Sequence, residues 1–153
     1  MRTEKDNIIT KEILDLFEET FEKVHGFYLD RNASIFETIN NISSEEASKK
    51  RGEINTTIAG HIDHIKFYII VLQEYITGKR TGKTDWNESW KTKTVNDNEW
   101  EVLKITLHQE YKKLYAFIQS IDEWKSGDYF GGIISILAHC SYHLGAIRQL
   151  IQV

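Results

Sequence analysis

The chain of 153 residues contains no proline, and its nine glycines lie mostly at apparent breaks between apolar stretches. Because proline interrupts a helix interior more strongly than any other residue, its absence permits long continuous helices. Apolar residues recur at intervals of three and four along most of the sequence, which places them on one face of a helix. No long segment alternates apolar and polar residues as a strand would. The pattern predicts an all-α protein.

Four long stretches carry this helical spacing, at residues 8–28, 55–77, 96–121 and 128–152. Asn55 and Asn96 are suitable N-caps for the second and third helices, and Glu99 stands at the capping-box position of the third. Gly78 fits the position just after the second helix. A short helix is expected at residues 35–42, and Ser43 begins a Ser-x-x-Glu capping pattern that ends at Glu46.

Each long helix has one apolar stripe, and four such stripes can be buried together only in a bundle. We therefore predict a four-helix bundle that forms a single domain over residues 1–153. The long connection between the first two long helices allows the chain to cross the bundle. The predicted core residues are Ile13, Phe17, Phe21, Val24 and Tyr28; Ile58, Ile62, Ile65, Ile69, Leu72 and Ile76; Trp100, Leu103, Leu107, Tyr111, Leu114, Ile118 and Ile121; and Ile133, Leu137, Cys140, Leu144, Ile147 and Ile151.

The charge balance argues against a nucleic-acid partner. The net charge is −4, and the short basic stretches at residues 49–51 and 79–83 resemble solvated loops, whereas a nucleic-acid binder needs a basic surplus to neutralise phosphates. No apolar run approaches the roughly 20 residues that a membrane span needs, and the N-terminal residues lead into an amphipathic segment. We expect a cytoplasmic protein with no membrane partner.

The placement of the six histidines is the feature that most directly suggests chemistry. His139 and His143 are four residues apart on the fourth helix, so their side chains lie on one face and can reach one metal ion. On the second helix, His61 lies about 60° from the centre of the apolar stripe and His64 about 120°. His61 is therefore the better candidate for an inward ligand, and His64 is expected nearer the surface, as an outer-shell residue or an alternative ligand.

Three neutral imidazoles around one divalent ion, such as Zn²⁺ or Ni²⁺, leave coordination positions open for water or substrate. The simpler interpretation is that each histidine is a satisfied polar group at the edge of the core. We prefer that interpretation for His25 and His108, which lie off their apolar stripes. For His139 and His143, a third inward histidine on another helix favours a metal site.

Further residues are candidates to line a pocket beside this site, although each has a simple packing role as its alternative. Trp86 and Trp90 follow the second helix and are expected to cover either the pocket or one end of the bundle. Tyr68 lies two turns after His61, and Ser135 one turn before His139. Cys140 falls on the apolar stripe and is expected to be a buried, inert thiol.

Two segments resemble motifs of the DinB-like (damage-inducible) four-helix bundles. Residues 58–65, Ile-Ala-Gly-His-Ile-Asp-His-Ile, resemble the motif of their second helix. Residues 138–149, Ala-His-Cys-Ser-Tyr-His-Leu-Gly-Ala-Ile-Arg-Gln, resemble the His-x-x-Tyr-His-x-Gly form of their fourth helix. The resemblance extends along the whole chain in helix order. It implies a metal ion held by His61, His139 and His143, and a homodimer.

Some members of that family are thiol S-transferases that use bacillithiol, mycothiol or glutathione. The resemblance therefore implies a small-molecule substrate such as a low-molecular-weight thiol, and an enzyme that activates a bound thiol, or water, for attack on a small electrophile. No glutamate flanks His139 or His143 as in a His-Glu-x-x-His protease, which disfavours base-assisted hydrolysis. The alternatives are a metal-dependent hydrolase and a non-enzymatic stress-response bundle whose metal is structural or absent.

Overall fold

A computed structural model describes residues 2–53, 55–124 and 127–152, apart from the side chains of Asp128 and Gln152. It confirms the all-α class. The helices are α1 (Glu4–Phe21), α2 (Ile35–Ile39), α3 (Ser44–Ala47), α4 (Ile58–Ile76), a short 3-10 helix (Trp86–Trp90), α5 (Asp97–Ser120) and α6 (Gly127–Gln152).

The four long helices share one core, to which α2 also contributes. Helix α4 packs against α5 and α6, and α1 packs against the same two helices. Since α1 and α4 both border α5 and α6, they lie across the core from each other. The chain therefore crosses the helical assembly between α1 and α4, as the long connection in the sequence allowed.

Helix α1 ends at Phe21, seven residues before the predicted end at Tyr28. The backbone N–H groups of His25, Phe27, Tyr28 and Leu29 donate to the buried carboxylate of Glu19, at 2.7 to 3.1 Å. Those bonds hold residues 25–29 as a loop beside the helix. Val24 and Tyr28 are consequently not part of the core stripe, and the prediction was wrong for both.

Local capping signals predicted the start of α5 correctly and the start of α4 incorrectly. Asn96 caps α5 in a full capping box with Glu99, as predicted. Helix α4 begins two residues later than expected, because Thr57 and not Asn55 is its N-cap. The Thr57 hydroxyl accepts from the Gly60 N–H and donates to the carbonyl of Lys93 at 2.7 Å. The Thr57 side chain thus links the start of α4 to the segment that follows the 3-10 helix.

Helix α6 is more apolar than the sequence analysis anticipated. Its segment Tyr129–Ile151 has a mean hydropathy of 1.3 and is long enough to cross a membrane, by length and composition only. Core helices of water-soluble proteins pass the same test, and this one carries both His139 and His143 on the face toward α4. The cytoplasmic location stays a prediction.

Candidate metal centre

Four histidines meet where α4 faces α6. His61 and His64 come from α4, and His139 and His143 come from α6. The Nε2 atoms of His64 and His139 lie 2.9 Å apart, and the Nδ1 atoms of His61 and His143 are also 2.9 Å apart. Three of the histidines, His64, His139 and His143, each have one ring nitrogen that lies within 4.8 Å of those of the other two. Three imidazoles are thus close enough to bind one metal ion.

The histidine of α4 in this group is His64, whereas the sequence analysis favoured His61. Both side chains are buried, at 6% exposure for His64 and 7% for His61. The expectation that His64 lies nearer the surface was wrong, because the 3-10 helix covers that side of α4 and Trp90 stacks on the His64 ring. His61 lies beside the group and contacts His143.

Burial keeps these imidazoles neutral at physiological pH. Desolvation, assisted by the neighbouring imidazoles, lowers the pKa of His61 and of His139 to about 4 and the pKa of His143 to about 3. Desolvation also lowers the pKa of His64, against the opposing effect of the Asp63 carboxylate. A neutral imidazole has a free lone pair on one ring nitrogen, which is the form that binds a metal ion.

Aromatic side chains border the histidines on two sides. The Trp90 ring stacks on His64 with 4.1 Å between ring centroids and contacts His61 edge-on at 5.3 Å. The Tyr68 ring stacks on His139 at 3.6 Å. Trp86 packs in turn against Tyr68, and 39% of its surface is exposed. Beneath these side chains His61 and His64 are buried, and His139 is half-buried.

Ser89 is a contact of the site that the sequence analysis missed. It is 1% exposed, and its hydroxyl oxygen lies 2.7 Å from Nδ1 of His64. The same hydroxyl donates to the carbonyl oxygen of Trp86 at 2.6 Å. The only sequence signal for Ser89 is its position between Trp86 and Trp90.

The remaining candidates lie outside the group of histidines. Ser135 is exposed, and its hydroxyl donates to the carbonyl of Gly131 in its own helix. Cys140 is fully buried, and burial raises the pKa of its thiol, which fits the inert role expected for it. His25 is exposed and contacts the Glu18 carboxylate, and His108 is exposed and packs against Phe36.

Comparisons with protein families, with curated proteins and with solved structures found no match to this chain. The DinB-like resemblance, the homodimer and the thiol substrate therefore stay predictions. The geometry of the histidines is the feature of the molecule that bears on function.

Proposed function

We propose that this chain is a DinB-like four-helix bundle that binds one divalent metal ion, Zn²⁺ or Ni²⁺, through His64, His139 and His143. The observation that carries the proposal is the convergence of three imidazole nitrogens, from two helices, within 4.8 Å of one another. His64 and His143 are buried and His139 is half-buried, and a single ion would be a partner for all three lone pairs at once.

The donor set suits such an ion. Neutral imidazoles are common ligands of zinc and nickel, at about 2.0–2.1 Å from the ion. Two nitrogens at that distance would be about 2.9 Å apart at the right angle of a tetragonal nickel site and about 3.3 Å apart at the tetrahedral angle of zinc. The 2.9 Å between Nε2 of His64 and Nε2 of His139 is close to both distances. A metal-free cluster would have the same short contact if one ring donated its N–H to the other, so metal content distinguishes the two.

The proposed activity is attack by an activated thiol on a small electrophile. An ion with three protein ligands keeps coordination positions for a thiol or water and lowers the pKa of the group that is bound. The carboxylate next in sequence to His64 is Asp63, and it already accepts from the Thr92 hydroxyl and pairs with Lys66. That engagement disfavours a hydrolase with Asp63 as base, and the apolar walls of Trp90 and Tyr68 favour an apolar electrophile.

A second candidate is a binding bundle with a structural ion. Structural zinc is held by four protein ligands, and His61 is a possible fourth donor because its Nδ1 lies 2.9 Å from Nδ1 of His143. We prefer the three-ligand site because His64, His139 and His143 each have a ring nitrogen within 4.8 Å of the other two, and His61 does not belong to that group.

The enzymatic proposal is tested by thiol consumption. Metal-loaded wild type is incubated with bacillithiol or glutathione and a panel of electrophiles, and the remaining free thiol is measured over time. Wild type and His108→Ala, which alters an exposed histidine outside the group, should consume thiol faster than the protein-free reaction. His64→Ala should not. If metal-loaded wild type consumes no thiol with any electrophile, the transferase proposal fails and the binding bundle takes its place.

A further inference from the structure

We infer that Ser89 is a positioning residue for the metal centre, because its hydroxyl fixes which ring nitrogen of His64 carries the proton. The inference rests on the proposed function, in which His64 is a ligand. Ser89 would act on the ion through His64, whose ligand atom is then Nε2.

This assignment follows because the Ser89 hydroxyl has a single proton and two hydrogen-bonding neighbours. A serine has one O–H to donate, and a backbone carbonyl can only accept. The 2.6 Å contact to the Trp86 carbonyl therefore uses the only proton of Ser89. The oxygen can then only accept at the 2.7 Å contact to Nδ1 of His64, so that nitrogen must be the donor.

A neutral imidazole has a single N–H, so a proton on Nδ1 leaves the lone pair of His64 on Nε2. That atom faces the other helix, 2.9 Å from Nε2 of His139. Metal-binding histidines in general donate their second N–H to a fixed acceptor, which sets the tautomer and the ring orientation. Ser89 is that acceptor for His64.

The segment that follows Ser89 is bonded to α4 at two residues ahead of His64, the N-cap Thr57 and Asp63. The Thr57 hydroxyl donates to the Lys93 carbonyl at 2.7 Å, and the Thr92 hydroxyl donates to Asp63 at 2.7 Å. Trp90, the residue after Ser89, stacks on the His64 ring itself. The acceptor is therefore held at a fixed place relative to the imidazole that it orients, as a positioning role requires.

The test compares Ser89→Ala with Ser135→Ala, which removes an exposed serine hydroxyl from α6. The first measurement is the tautomer of His64 in metal-free protein, from the ¹⁵N shifts of its ring nitrogens. Wild type and Ser135→Ala should carry the proton on Nδ1, and Ser89→Ala should lose that preference. This measurement does not depend on whether the protein binds a metal.

The second measurement is the affinity for Co²⁺, followed by its visible absorption spectrum. Loss of an outer-shell partner typically weakens metal binding about 10- to 100-fold, and Ser89→Ala should show a loss of this size together with an altered spectrum. Ser89→Thr, which keeps the hydroxyl, should restore the wild-type spectrum.

Two results would overturn the inference: a proton on Nε2 of His64 in wild type, or a Co²⁺ affinity in Ser89→Ala equal to that of wild type. If wild type keeps its Nδ1 proton but binds no Co²⁺, the proposed function itself has failed and the positioning role falls with it.

Discussion

The ring of Tyr68 lies flat against the ring of His139, with 3.6 Å between their centroids and 13° between their planes. Tyr68 lies one turn after His64 on α4, so this helix supplies one histidine of the group and also the side chain that supports a histidine of the facing helix. Trp86 packs on Tyr68. The orientation of the His139 ring is thus set by packing as well as by its contact with His64.

Replacing Tyr68 by alanine should weaken metal binding moderately. An aromatic pair contributes about 0.5–1.5 kcal/mol beyond its buried area, which corresponds to a loss of about 2- to 10-fold in affinity if the ring orientation of His139 is released. Tyr68→Phe keeps the stacked ring and should bind as wild type does. Competition with a chromophoric chelator measures both variants. Equal affinities for Tyr68→Ala and wild type would show that the stacking does not hold His139 in place.

Gly60 lies where α4 packs tightly against the segment after the 3-10 helix. A Cβ atom at this position would lie 2.9 Å from the carbonyl oxygen of Thr92, a backbone atom that cannot rotate away. Gly60→Ala should therefore displace that segment, destabilise the fold by about 1–3 kcal/mol as overpacking does, and weaken metal binding.

Gly131→Ala is the matched control, since a Cβ there meets nothing within 4 Å and the position is exposed on α6. It should stabilise the protein by up to about 1 kcal/mol through helix propensity. Urea unfolding of both variants checks the pair. A Gly60→Ala protein as stable as wild type would contradict the close contact.

The buried carboxylate of Glu19 makes the stability of the fold depend on pH. Burial would raise the pKa of its carboxyl, but the four backbone N–H groups that donate to it prevail and lower the pKa to about 2 from the ordinary 4.5. A group with a lowered pKa in the folded state contributes stability above its unfolded pKa and loses it as the pH falls through the folded value. The contribution of Glu19 is therefore complete above about pH 4.5 and disappears toward pH 2.

Glu19→Gln should lower the free energy of unfolding at pH 7 by about 2–3 kcal/mol, because charge-assisted hydrogen bonds to the loop are lost. Its stability should also fall less steeply than that of wild type between pH 4.5 and pH 2. Glu12→Gln changes an exposed carboxylate of the same helix and should have an effect below about 0.5 kcal/mol. Denaturant titrations across this pH range measure the free energy of unfolding of each protein. If that free energy fell equally steeply with pH in Glu19→Gln and in wild type, the role of Glu19 would be ruled out.

The parts of the fold that the sequence predicted well are those set by local signals. Asn96 and Glu99 give the start of α5, and the apolar stripe from Trp100 to Ile118 is buried as expected. The end of α1 was not predictable from periodicity, because Val24 and Tyr28 continue the apolar spacing. What ends the helix is the Glu19 side chain, whose hydrogen bonds to the following loop outweigh the pattern.

The candidate site shows the same division between local and tertiary causes. The shared face of His139 and His143 follows from their four-residue spacing, and the structure does bring them together. The burial of His64 depends on the 3-10 helix, which returns Ser89 and Trp90 onto α4 from more than twenty residues along the chain. Helical angles within α4 alone do not contain that information.

The most direct test of the metal site is the metal content of protein purified without an affinity tag, for wild type and the variants His61→Ala, His64→Ala and His108→Ala. We expect about one ion per chain in wild type, in His108→Ala and in His61→Ala, and none in His64→Ala. Retention by His64→Ala with loss in His61→Ala would instead identify the ligands as His61, His139 and His143. A wild type that stays empty after loading with Zn²⁺ or Ni²⁺ would contradict the metal centre altogether.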